Sequence, residues 1–134
     1  MLSLRRGQRD AIVATCVRAL PLEGCGLLLG TSEGVVADVI VSRNLADSAK
    51  LYEIDSRVML QAHRRADDEG LSVIGVFHSH THTEAFPSPT DVEQAPDPSW
   101  HYVVVSLRDV PSIVRSFHIV DGSVDEESVQ VDDV

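Results

Sequence analysis

The chain has 134 residues, 43% hydrophobic and 24% charged, and contains no apolar run long enough to cross a bilayer. This describes one globular domain over residues 1–134, with a core of Val, Leu, Ile and Ala because aromatic residues make up only 4%. With 11 basic against 21 acidic side chains the net charge is −10, which argues against nucleic acid as a partner, since phosphate binding needs clustered Lys and Arg.

The opening Met1-Leu2-Ser3-Leu4-Arg5-Arg6 is followed by Gly7-Gln8-Arg9-Asp10, which interrupts any apolar region of signal-peptide length. No membrane association and a cytoplasmic location are expected. Residues 8–20 place Ala11, Ile12, Ala14/Thr15, Cys16 and Leu20 near helical spacing, and Pro21 stops the predicted helix. Cys16 and Cys25 lack the CxxC spacing of a structural zinc site and lie among apolar residues, so they read as reduced, buried thiols. The run Gly24-Cys25-Gly26-Leu27-Leu28-Leu29-Gly30 predicts a buried strand. Thr31-Ser32-Glu33-Gly34 reads as a hairpin turn into a second strand over residues 35–41.

Residues 44–51 form a polar loop. Asp55-Ser56 caps a second helix running to about residue 69, with Val58, Leu60/Gln61, Ala62 and Ala66 on its buried side and Gly70 closing it. Residues 71–80 are the central strand and 81–87 a loop. Pro89 suits the first turn of a short helix that ends before Pro96. Residues 100–107 and 112–120 are two further strands. Asp121-Gly122 turns the chain into a weakly alternating edge strand over 124–131, and the acidic tail from Asp121 to Asp133 reads as a solvated edge or frayed end. The order αββαβ(α)βββ specifies an α/β (α+β) domain with a mixed β-sheet packed against two main helices.

The chemistry concentrates in His78-Ser79-His80 and Ser88-Pro89-Thr90-Asp91. Side chains two apart on a strand share a face, so His78 and His80 point together if the strand reaches them. Two imidazoles and a carboxylate form a common catalytic zinc set that leaves a fourth position for water. Each piece also has an ordinary explanation. A histidine pair can simply be surface or satisfied core, and Ser88, Pro89 and Asp91 are what a capped helix N-terminus needs. The two explanations are compatible, because a capped turn would also hold Asp91 rigidly. Glu23 lies just before the first buried strand. Its residue type suits a general base, yet by position alone it reads as a solvated loop residue.

With that upstream Glu, His78-Ser79-His80, seven residues, Ser88, two residues and Asp91 resemble the JAMM motif of the MPN+ metalloproteases. The segments Glu23-Gly24-Cys25-Gly26, Tyr52-Glu53-Ile54-Asp55, Pro87-Ser88-Pro89-Thr90-Asp91-Val92, His101-Tyr102-Val103-Val104-Val105-Ser106 and Val120-Asp121-Gly122 extend the likeness. The chain looks closest to the small bacterial Mec-type branch, which acts on ThiS/MoaD-like sulfur carriers. Thr81 stands where many members have Pro, which argues against the DNA-repair-associated branch.

The resemblance implies a JAMM/MPN, cytidine-deaminase-like fold and one catalytic Zn2+ ion held by His78, His80 and Asp91. It makes Glu23 the base that also protonates the leaving amine, and Ser88 a donor to the tetrahedral oxyanion. It implies hydrolysis after the C-terminal Gly-Gly of a ubiquitin-like sulfur carrier, releasing cysteine from a carrier–cysteine adduct. The same chemistry could serve precursor trimming or deconjugation from lysines, and a non-catalytic MPN scaffold is the further alternative. A nucleoside deaminase would need a PCxxC element that the chain lacks. His82 and Glu84 read as solvent-facing loop residues, with His82 as an extra ligand or substrate contact the rival reading. His63, His101 and His118 read as structural, and a homodimer stays open.

Overall fold

The runs at residues 25–30 and 72–80, rich in Leu, Val and Ile, lie side by side in the middle of a mixed sheet. The computed structural model describes residues 1–133. In chain order the elements are β1 (Leu2–Arg5), α1 (Arg6–Ala19), β2 (Cys25–Gly30), β3 (Val36–Ser42), α2 (Ser56–Glu69), β4 (Ser72–His80), α3 (Pro89–Glu93), β5 (His101–Ser106), β6 (Ile113–Val120), β7 (Ser123–Glu127) and β8 (Val129–Asp132). Six strands follow the order β3-β2-β4-β5-β6-β7, and β1 pairs with β8 apart from them. Within the larger sheet only β4 and β5 run parallel. The α/β (α+β) architecture expected from the sequence is the one observed.

Every residue of β2 and β5 is buried, as their interior places in the sheet require. Alternation sorts the core into two layers. Leu28, Phe77, Val103 and Val105 pack with Ile12 and Cys16 of α1. Leu27, Leu29, Val76 and Tyr102 pack with Ala62 and Ala66 of α2. Where α1 crosses the start of β2 the backbones touch. A Cβ on Gly24 would stand 2.7 Å from the Cys16 Cα, so only glycine fits there.

Helix α2 starts and ends where its signals place it. The Asp55 side chain accepts from the Arg57 N–H at 2.9 Å, and Gly70 closes the helix at φ 69°. Its inward stripe is Val58, Met59, Ala62 and Ala66, whereas Leu60 and Gln61 are exposed and correct the expected set. Helix α1 begins two residues earlier than predicted. Gln8 is buried, and its side-chain amide donates to the Val36 and Ala37 carbonyls of the edge strand β3. Ala11 and Leu20, expected to face the core, are exposed.

The two ends of the chain depart most from expectation. Residues 2–5 form a strand where none was predicted, and the single predicted strand over 124–131 is two strands in different sheets. β7 extends the main sheet, and β8 turns back to run parallel with β1, pairing Leu2 with Val129. The acidic tail is therefore not simply a solvated end. The Glu127 side chain is 7% exposed, and the Met1 ammonium lies 3.1 Å from its Oε1.

Candidate active site

Strand register assembles the site. Cys25 of β2 lies opposite His78 of β4, and the Ser79 N–H donates to the Gly24 carbonyl at 3.0 Å, so the antiparallel pairing carries on beyond β2. Continued by one more residue, it sets Glu23 alongside His80. A register shift resets the alternation within β4, since Leu28 pairs with Gly75 but Leu29 with Val73. After that shift Val76, His78 and His80 share the face that α2 covers. The strand continues past α2 and carries both imidazoles under Tyr52 and α3.

There His78 Nε2, His80 Nε2 and Asp91 Oδ2 form a triangle with edges of 3.2, 3.0 and 3.0 Å. All three side chains are at least nine-tenths buried. The His80 Nδ1–H donates to the Glu84 carbonyl at 2.9 Å, which fixes its tautomer and leaves the Nε2 lone pair facing inward. His78 is oriented by stacking, with the Tyr52 ring centred 4.3 Å from its own at 16°. Its Nδ1 is buried without a partner. Tetrahedral zinc with bonds of ~2.0–2.1 Å separates its nitrogen and oxygen ligands by roughly 3.3 Å, close to the edges of this triangle. The donor set therefore fits one metal ion, and the three residues are a group able to hold it.

The helix cap and the third donor are one structure. Ser88 is the N-cap of α3. Its Oγ accepts from the Asp91 N–H at 3.1 Å, and its own N–H donates to Asp91 Oδ2 at 2.9 Å. The oxygen that meets both histidines is thus locked by the capping box. The two readings of Ser88-Pro89-Thr90-Asp91 coexist, because the Ser88 hydroxyl hydrogen stays free to donate while its oxygen caps.

Electrostatics follow from burial and contact. Burial alone would raise the Asp91 carboxyl, but its close contacts with His78 and His80 outweigh it and hold the group far below the usual carboxylate range. Burial lowers His78 despite Asp91. In His80 burial is outweighed by the Asp91 and Glu84 contacts, which raise it. Glu23 is 3% exposed, so the solvated loop that its position suggested is corrected. Burial first, with the Asp91 charge assisting against that of His80, pushes its carboxyl up to about 8, and its Oε1 has no hydrogen-bond partner.

Two cavities flank the triangle. One, of about 270 Å³, is lined by Glu23, His80 and Ser88 together with Ala49, Lys50, Thr81, His82 and Thr83. The other, of about 220 Å³, has Tyr52, Met59, Val76, Asp91 and Trp100 in its walls. His82 and Glu84 are exposed, as expected, but the Glu84 carbonyl is the group that orients His80.

Sequence reasoning missed two supporting residues. Tyr52 had a weak signal, being an aromatic in a polar loop of an aromatic-poor chain. Asn44 had none. It is 7% exposed, and its amide donates to the carbonyls of Glu23, Ser48 and Leu51 while its oxygen accepts from Ala46 and Glu53. It ties the 44–51 loop to the backbone of Glu23.

Cys16 and Cys25 are free and buried, with both thiols pushed up to about 12 by burial, so they are inert fillers. His63 is exposed on α2. His101 and His118 meet Glu127 in the second group of metal-capable side chains found among the described residues. No helix among the described residues is long and apolar enough to cross a membrane.

Known proteins resemble this chain in sequence and fold. The family described as "Prokaryotic homologs of the JAB domain" matches residues 6–120. A CysO-cysteine peptidase of Mycobacterium tuberculosis is 40% identical over 98% of this chain and 91% of its own. A probable TtuB-protein conjugate cleaving protease of Thermus thermophilus is 35% identical over 91% of this chain and 78% of its own. The solution structure of a protein from Desulfitobacterium hafniense superimposes with a TM-score of 0.91 at 35% identity, covering 100% of this chain and 94% of that one.

Proposed function

Because the chain belongs to the prokaryotic homologs of the JAB domain, we propose that it is a zinc-dependent peptidase that hydrolyses the bond after the C-terminal Gly-Gly of a ubiquitin-like sulfur carrier, releasing cysteine from a carrier–cysteine adduct. The observation that carries this reading is the convergence of His78, His80 and Asp91 beside a cavity that Glu23 and Ser88 also line. The 40%-identical relative named for that substrate supports it.

In the proposal His78, His80 and Asp91 hold the zinc, which when bound supplies Lewis-acid activation of water and of the scissile carbonyl. The other roles belong to this chain's own side chains. Glu23 takes a proton from the attacking water and delivers it to the cysteine nitrogen as the C–N bond breaks. A buried carboxyl whose Oε1 has no hydrogen-bond partner is placed for both transfers. Ser88 donates its free hydroxyl hydrogen to the developing oxyanion. Carrier-Gly-CO–NH-Cys and water become the carrier carboxylate and free cysteine. The Asn44 network holds the Glu23 backbone rigid, so that little reorganisation is needed.

The relative named as a conjugate-cleaving protease supports a second reading with the same chemistry, removal of carriers from lysine side chains. Trimming of a carrier precursor is a third use. An intact donor triangle speaks against a scaffold without catalysis. A cytoplasmic location and a homodimer belong to the proposal and not to the observations.

The test is to incubate zinc-loaded protein with three forms of one carrier: ending Gly-Gly-Cys, extended by a longer tail, and joined to a lysine. Mass spectrometry then reports the products. The cysteine adduct is expected to be cleaved fastest. An unchanged mass with zinc present would overturn the substrate assignment.

A further inference from the structure

The chain has one lysine, Lys50, and it lines the cavity shared by Glu23, His80 and Ser88. It is the only lysine or arginine among that cavity's lining residues. In a chain of net charge −10 a single cation at this point is a local exception. The loop around it is pinned on both sides. The Lys50 N–H donates to Ser48 Oγ at 3.0 Å, and the Asn44 amide holds the Ser48 and Leu51 carbonyls. The Thr81 hydroxyl, one residue beyond His80, donates to the Ala49 carbonyl at 3.3 Å. The backbone is thus fixed against the catalytic strand, while the side chain is exposed at the cavity.

The proton route decides which part of the substrate lies there. If Glu23 delivers a proton to the departing nitrogen, the leaving group must occupy the cavity that Glu23 shares with His80 and Ser88, and not the one it lines with Arg18 and Arg43 away from the donor triangle. A departing amino acid carries a free α-carboxylate one carbon from that nitrogen. A lysine side chain of a conjugated protein carries only methylenes at that distance. We propose that Lys50 receives the α-carboxylate of the leaving amino acid and so directs the enzyme toward substrates in which a single residue with a free C-terminus departs. This rests on the hydrolytic reading above and deepens it from a type of bond to a type of leaving group. The flexible ammonium is suited to the task, because it can follow a small anion without demanding bidentate geometry.

The test uses full-length zinc-loaded enzyme and two substrates, a carrier ending Gly-Gly-Cys and the same carrier with its cysteine carboxyl converted to the carboxamide. Wild type is expected to favour the acid by about tenfold in kcat/KM, mostly through KM, as for a charge-assisted contact. Lys50→Gln should bring the acid-to-amide ratio close to 1, and Lys50→Arg should keep most of the preference. A merely structural role would slow both substrates alike and leave the ratio intact, which would overturn the proposal. So would a wild-type enzyme that cleaves both equally. If wild type cleaves neither carrier, the hydrolytic reading falls and the Lys50 assignment with it, whereas loss of preference alone refutes only Lys50.

Discussion

Two clusters in this molecule each gather two histidines and one carboxylate, and hydrogens explain why only one is suited to a cation. At His78, His80 and Asp91 the two Nε2 atoms and Oδ2 converge within 3.2 Å of one another, and the His80 Nδ1–H is turned outward to the Glu84 carbonyl. At His101, His118 and Glu127 the hydrogens already point in. The His101 Nδ1–H and the Ser116 hydroxyl donate to Glu127 Oε2 at 2.5 and 2.7 Å, and the Met1 ammonium meets the charge of Oε1 at 3.1 Å. Burial would raise Glu127, yet His101, Ser116 and the amino terminus bring it down to about 2. One cluster needs a positive charge, and the other has built one in from the start of the chain. Residue types and spacing alone do not separate them; proton bookkeeping does.

The largest expected effects fall on the first cluster. Asp91→Ala should abolish zinc binding and lower turnover by about a thousandfold or more, read by metal content and by carrier mass. Glu23→Gln should keep zinc and lose about 10²–10⁴-fold in kcat, because in the proposed mechanism it removes only the proton carrier. Normal turnover in that variant would place the base elsewhere. Ser88→Ala should cost about 10–10²-fold in kcat together with about 1 kcal/mol of stability, since in the proposed mechanism the hydroxyl that caps α3 also serves the oxyanion. Chemical denaturation separates the two contributions.

The clusters should also respond to pH in opposite directions. Glu23 is raised to about 8 in the metal-free fold, so its stabilising contribution is complete below its ordinary 4.5 and is lost as pH rises through 8. Glu127 is lowered to about 2, so its contribution is complete above 4.5 and disappears as pH falls toward 2. In metal-free protein Glu23→Gln should therefore stabilise at pH 9, by on the order of 1–3 kcal/mol, and should be nearly neutral at pH 4. Glu127→Gln should destabilise at pH 7, by about 1–3 kcal/mol, with little effect on zinc content. Urea midpoints across pH would show both, and parallel pH profiles for the two variants would break the contrast.

How much was legible depended on how local each signal is. Helix α2 could be read to the residue because Asp55 and Gly70 are local punctuation. The donor triangle was legible because its members lie within 14 residues, on one strand and one capped turn. Glu23 was not legible from its own surroundings. What buries it is the pairing of Cys25 with His78 and a loop held by Asn44, both products of long-range closure. β1 was missed, and β8 was merged with β7, for the same reason, since each is four residues long and finds its partner at the opposite end of the chain. The Glu127 cluster depends on that closure and on the amino terminus itself, which no side-chain pattern records.

The central claim, that one cluster and not the other is a metal site, is tested most directly by zinc content per chain in wild type, Asp91→Ala and Glu127→Gln proteins purified without chelator. The account predicts about one zinc in wild type and in Glu127→Gln, and none in Asp91→Ala. Two zinc ions in wild type falling to one in Glu127→Gln, or a full complement in Asp91→Ala, would contradict it.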